Sequence, residues 1–319
     1  MQAASAPQAR SLGVVAAFAS IYIVWGTTYL AIALAIQTFP AYISGALRFL
    51  LAAALLYGWL RWRTARPLEG VSLPAAVLCG VLLSGVGNGF VMWAQQGIPS
   101  GIAALVISSM PVLVLVLDWA FFSKRAPSRQ ALAGIAIALA GVVSIVVQTR
   151  NLSGAAQPMH LIALLVAALG WSLGTLLQKQ AARPATVMSF TCVQMLAGGV
   201  FQLGMSFAAG EWLRFEPANV SWVSLSAVAY LIVFGSIVAL NSYLWLLTRV
   251  SAQKVTTYAL VSPVIALLLG AIVLHERVTA LSIGAAVFVL AGVALVLFQD
   301  AHPVRWWRER RAALQTATK

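Results

Sequence analysis

Residues 130–147 read QALAGIAIALAGVVSIVV, and residues 281–298 read LSIGAAVFVLAGVALVLF. Neither stretch holds a charged residue, and each is 18 residues long. As a helix each would span about 27 Å, close to the roughly 30 Å of bilayer hydrocarbon. Both carry the same four letters, Leu139-Ala140-Gly141-Val142 and Leu290-Ala291-Gly292-Val293, at an offset of 151 residues. Two similar spans half a chain apart point to a duplicated helical membrane protein.

Outward from these spans, the same reading finds four apolar runs before the first: Leu12 to Ile32, Ala41 to Leu60, Leu73 to Ala94 and Gly101 to Phe121. A polar stretch from Gln148 to Met159 then interrupts the chain. Four more runs precede the last span, at His160 to Leu177, Thr186 to Phe207, Ser221 to Leu246 and Thr256 to Leu274. The expectation is an all-α integral membrane protein of ten transmembrane helices, five in residues 1–150 and five in 151–299, followed by a basic tail over 300–319. Trp25 and Trp171 correspond at an offset of 146, and Trp93 with Pro111 correspond to Trp245 with Pro263 at 152. The first run follows Arg10 and resembles a signal peptide, but its length and its Trp25, Thr27, Thr28 and Tyr29 favour a retained helix.

Composition agrees with lipid as the main solvent: 61% of residues are hydrophobic and 8% charged, with a mean hydropathy of +0.93. The net charge of +13 would suit a nucleic-acid binder in a soluble chain, yet the basic residues fall in the short gaps between spans. They read as topology signals, so no nucleic-acid partner is expected. Sixteen Lys and Arg residues lie on the side that holds both termini, and three, Arg150, Arg214 and Arg277, on the other. Both termini are therefore expected in the cytoplasm, with the protein in the inner membrane of the cell. An odd number of spans per half then inverts one half relative to the other. In the tail, Arg305-Trp306-Trp307-Arg308 mixes aromatics and cations, as a membrane-surface anchor does.

Chemistry inside a membrane needs polar catalytic groups at depth. The sequence shows no serine–histidine pair within a span, no GxxxxGK loop, no HExxH and no CxxC. No enzyme activity and no cofactor are expected, and Cys79 and Cys192 read as reduced packing residues within apolar runs. Matched interruptions in two halves are instead the pattern of a secondary transporter with its site at the repeat interface. Pro111 and Pro263 each free a backbone carbonyl in equivalent spans and are candidate gating points.

Candidate substrate-binding side chains are Trp25, Tyr29, Asn88, Trp93, Trp171, Asn241, Trp245 and Tyr258, which would form an aromatic and amide-lined chamber for a flat or amphipathic solute. Ordinary interhelical packing is the alternative for each. Arg48, Asp118 and Glu276 are candidate charge or coupling groups. Arg48 reads either as a snorkelling cation or as an attractor of anionic solutes, and Asp118 either as a proton carrier or as a partner of Lys124 or Arg125. Glu276 reads as a turn cap or as an outer latch that works through an ion pair.

The segments Trp25-Gly26-Thr27-Thr28-Tyr29-Leu30-Ala31, Arg48-Phe49-Leu50-Leu51-Ala52-Ala53, Leu260-Val261-Ser262-Pro263-Val264 and Leu274-His275-Glu276-Arg277-Val278 appear in that order. Together they resemble the EamA-domain transporters of the drug/metabolite transporter superfamily, from about Leu12 to Phe298. The resemblance implies a central cavity between inverted halves and export of metabolites, amino acids or drugs by alternating access. Two departures stand out: Phe122-Ser123-Lys124-Arg125 replaces a glutamate-containing end in the first half, and the first span has no carboxylate. The proton-exchange scheme of smaller relatives therefore does not carry over. A small-molecule substrate and membrane lipids are the expected partners, and the sequence leaves oligomeric state open. A passive channel or a lipid-binding membrane component is the alternative function.

Overall fold

The computed structural model describes residues 7–124, 126–151 and 158–298. Arg125, residues 152–157 of the polar linker and the basic tail 300–319 lie outside these residues. Ten helices follow one another, and no strand occurs among the described residues. They are α1 (Pro7–Ala35), α2 (Ala41–Arg63), α3 (Leu73–Ala94), α4 (Ser100–Ser123) and α5 (Arg129–Asn151). The second set is α6 (Pro158–Ala181), α7 (Pro184–Ala208), α8 (Trp222–Leu247), α9 (Tyr258–Val273) and α10 (Ala280–Leu297). Eight are long and apolar enough to cross a membrane, while the apolar stretches Arg129–Ile145 of α5 and Tyr258–Val273 of α9 are shorter.

The packing order itself carries the duplication. Helix α2 packs on α7, α5 on α10 and α4 on α9, each against its own counterpart five helices on. The remaining major contacts come in mates: α1 with α8 and α3 with α6, α2 with α8 and α3 with α7, α1 with α9 and α4 with α6. A pseudo-two-fold axis relating two inverted five-helix halves produces this pattern. We call the face where α1 begins proximal and the opposite face distal.

Without a hydrophobic force between helices in lipid, close approach relies on small residues and dispersion contacts. The repeated four-letter stretches supply this where α5 crosses α10. A Cβ at Gly292 would overlap Ala138 N and come within 2.5 Å of Gly134 O, and one at Gly141 would stand 2.7 Å from Val289 N. The two copies of the motif thus pack on one another's helices across the axis. Because the obstacle is backbone, Gly292→Val is expected to cost about 1–3 kcal/mol, seen as a lower melting temperature of the purified protein in detergent.

Two backbone irregularities also obey the repeat. Helix α3 widens into a π segment at Gly80–Asn88 and α8 into another at Leu231–Val238, starting 151 residues apart, the offset of the four-letter motif. Such π turns concentrate at functional sites. The two matched prolines sit differently in their helices. Helix α4 breaks at Ser108 and Ser109, directly before Met110 and Pro111. Pro263 instead lies inside an unbroken helix, and the second break falls earlier, at Thr256 and Thr257. A proline blocks only the bond to the carbonyl four residues back, so the neighbours decide whether the whole turn opens.

Candidate substrate site

Four aromatic residues from four helices meet at mid-depth. The Trp25 ring centroid lies 5.4 Å from Trp171, 5.0 Å from Tyr243 and 4.7 Å from Tyr258, with Trp171 and Tyr258 edge-on. Quadrupoles favour edge-to-face pairs of this kind. Tyr243 Oη shares a 2.8 Å hydrogen bond with Thr175 Oγ1, and Tyr258 Oη donates to Met110 Sδ at 3.6 Å. Trp25 and Tyr258 are 6% exposed and Tyr243 is fully buried.

Distal to this cluster lies a chamber of about 50 Å³, walled by Trp25, Thr28, Tyr29, Arg48, Asn88, Trp171, Tyr258 and Ser262 together with the aliphatic Ile32, Val91 and Ile107. That is room for one or two water molecules, whose share of liquid volume is about 30 Å³ each. Proximal to the cluster, a vestibule of about 400 Å³ is lined by Pro111, Asp118, Lys179, Gln180, Ser251 and Thr256, among others. Tyr258 walls the chamber two residues from Thr256, and its Met110 contact adjoins Pro111. The aromatic cluster therefore separates the two spaces. Both are lined by helices of both halves.

At the distal face, two carboxylates bridge the halves. Helices α2 and α4 begin after Pro40 and Pro99, which offer no side-chain cap. Free N–H groups at a helix start need an acceptor. Glu211, in the α7–α8 connection, accepts from Tyr42 N at 3.1 Å and Ile43 N at 2.9 Å. Glu276, in the α9–α10 connection, accepts from Ser100 N at 2.7 Å and Gly101 N at 3.2 Å. A positive-φ residue precedes each: Gly210 (φ 63) and His275 (φ 55). At the second site, Glu276 N donates back to Gly270 O at 3.0 Å, which turns the chain towards α4. Burial raises the Glu211 carboxyl above its ordinary value of 4.5, against the opposing pull of the two N–H groups and Arg214.

The structure distributes the sequence candidates among several places. Trp25, Tyr29, Arg48, Asn88, Trp171 and Tyr258 line the chamber. Trp93 stacks on His160 at 4.6 Å, and Trp245 lies under Arg249, whose Cζ is 4.9 Å from the ring centroid. These two tryptophans are repeat mates, and inversion sends them to opposite faces, away from the chamber. Asn241 lines a separate groove with Ser20, Leu60, Met188 and Trp245. Asp118 faces the vestibule and forms no ion pair with Lys124, while Arg125 lies outside the described residues. Glu276 acts through backbone N–H groups rather than through an ion pair. Glu211 escaped the sequence reading, although the uncapped starts after Pro40 and Pro99 signal that outside acceptors are needed. Among the described residues no group of His, Cys, Asp and Glu could hold a metal ion.

Ten apolar helices in two inverted halves, with a chamber and vestibule between them, define a multi-pass membrane carrier of the secondary transporter class. The chain belongs to the EamA-like transporter family, whose profile matches residues 11–147 and again 158–298. It is 36% identical over 280 residues to the "Uncharacterized inner membrane transporter YedA" of Escherichia coli (strain K12), covering 86% of this chain and 89% of that protein. It is 27% identical to a "Probable amino-acid metabolite efflux pump" of the same strain, over 87% of this chain and 92% of the relative. A solved crystal structure at 19% identity superposes with a TM-score of 0.61, covering 89% of this chain and 96% of the other, and shares the fold. The protein is thus a secondary transporter of the inner membrane.

Proposed function

We propose that the chain exports small organic metabolites by alternating access, with residues 1–150 and 151–299 as the two moving halves and the termini in the cytoplasm. The observation that carries this reading is the sequence of spaces along one axis: a proximal vestibule, an aromatic barrier, a mid-depth chamber and a distal face bridged by Glu211 and Glu276. On this reading the proximal face is cytoplasmic, and the conformation is one that loads from inside. Trp25, Tyr29, Asn88, Trp171 and Tyr258 form the substrate site. Export of amino-acid-like solutes draws support from the relatives named as probable amino-acid metabolite efflux pumps.

Counterflow in proteoliposomes tests the mechanism. Vesicles preloaded with unlabelled cargo, identified by metabolite profiling of cells with and without the protein, are expected to accumulate the labelled form against its gradient. Asn88→Ala and Trp171→Ala are expected to reduce that uptake at least tenfold at unchanged protein level. Equilibration without overshoot would indicate a passive channel and sink the carrier reading.

A further inference from the structure

A guanidinium buried in a membrane protein is costly unless it is paired. Arg48 is 3% exposed, and no carboxylate lies within 4 Å of it among the described residues. Its Nε donates to Ser236 Oγ at 2.8 Å and its Nη1 to Asn88 Oδ1 at 3.4 Å, while Nη2 makes no hydrogen bond among the described residues. The Phe49 ring, 4.7 Å from Cζ, offers the charge a quadrupole but no counter-ion. Ser236 belongs to the π segment of α8, and Asn88 ends that of α3. Arg48 thus ties together the two symmetry-related distortions of the bundle. Gly235 makes room for it: a Cβ there would stand 3.1 Å from Nη2.

We propose that Arg48 is the anchor for a carboxylate on the transported solute, bound through the Nη1–Nη2 edge of the guanidinium. The proposal deepens the carrier reading and rests on it for the chamber's role as substrate site. Three features select this ligand chemistry. Nε is held in place by Ser236, which leaves the fork formed by Nη1 and Nη2, the geometry that matches a planar carboxylate bidentately. The long Asn88 contact is the one a stronger acceptor would replace. Arg48 is also the sole cation in the chamber wall among the described residues, so a monoanion neutralises the site and a phosphate dianion would not. Apart from Asn88 and the hydroxyls of Thr28 and Ser262, the rest of the wall is aromatic or aliphatic, with Ile32, Val91 and Ile107 beside the rings, and Ser262 Oγ is buried without a hydrogen-bond partner among the described residues. The expected cargo joins one carboxylate to an apolar or aromatic body. At about 50 Å³ the chamber must widen to admit it, and displacement of the aromatic barrier is the available route.

Three matched probes test this on the purified full-length protein: L-phenylalanine, 3-phenylpropionate, which lacks the ammonium, and phenethylamine, which lacks the carboxylate. Binding is read by tryptophan fluorescence and by thermal stabilisation, so that it is scored independently of transport. The two carboxylates are expected to bind at least tenfold more tightly than phenethylamine. Arg48→Gln should remove that preference, and Arg48→Lys, which keeps the charge but loses the fork, should retain only part of it. Equal binding of all three probes, or no binding of any, overturns the proposal; so does an undiminished carboxylate preference in folded Arg48→Gln protein. Carboxylate-selective binding without counterflow would leave the anchor standing and defeat the carrier reading instead.

Discussion

Alanine at both Glu211 and Glu276 is expected to open the distal face. Each carboxylate satisfies two N–H groups at a helix start that has no cap of its own. Removing a cap of this kind costs about 1 kcal/mol. Two together shift the closed-to-open ratio by about 2 kcal/mol, or roughly thirtyfold. A single cysteine at Thr28, in the chamber wall, reports this through its labelling rate by a membrane-impermeant maleimide added from the distal side. The native Cys79 and Cys192 are buried and contribute little background. Labelling at the parent rate would reduce the two carboxylates to local helix caps. The sign of the pH effect follows from Glu211. Its carboxyl is raised in the closed face and returns towards its ordinary value once hydrated in an open one, so the closed face holds the proton more tightly. Between those two values, rising pH favours opening, and Glu211→Ala should abolish that slope.

Trp25→Ala is expected to have the largest effect on both stability and transport. Its ring contacts Trp171, Tyr243 and Tyr258 at once, so truncation leaves a cavity that three large neighbours cannot easily fill. Loss of a buried tryptophan costs about 3–5 kcal/mol, which corresponds to a fall of about 10 °C in melting temperature for a chain of this size. The same change connects the chamber to the vestibule, so counterflow should be lost even below the melting temperature. Trp25→Phe keeps a ring against Tyr258 and should recover most of the stability. A Trp25→Ala protein with parental melting and transport would show that the cluster is neither a core nor a barrier.

Much of the architecture was legible in the residues because the signals were local. Lipid penalises every unpaired backbone group, so an apolar run of the right length has little choice but to be a helix. Leu73–Ala94 begins and ends where hydropathy places it, and the ends of the other helices differ from those of their apolar runs by only a few residues. The four-letter repeat also located a true contact, since its glycines are where α5 and α10 cross. Of the aromatic and amide candidates, Trp25, Tyr29, Asn88, Trp171 and Tyr258 line one chamber, and Arg48, a charge or coupling candidate on sequence grounds, lines it with them. Trp93 and Trp245 match by repeat position, and Asn241 lies four residues from Trp245 on the same helix face, so in sequence these three look like members of the same group. Under an axis in the membrane plane, a repeat position far from the middle maps to the opposite face, so that grouping was bound to scatter.

By itself the sequence determined the number of helices, the duplication and its inversion, because these follow from length, hydropathy and an odd count of spans. Only the tertiary structure decided which polar groups meet. That Glu211 caps α2 and that Arg48 reaches Ser236 in the π segment of α8 depend on contacts made across the two halves. Such contacts between residues more than a hundred positions apart leave no periodicity in the chain. They are fixed by the helix crossings that bring the two halves together.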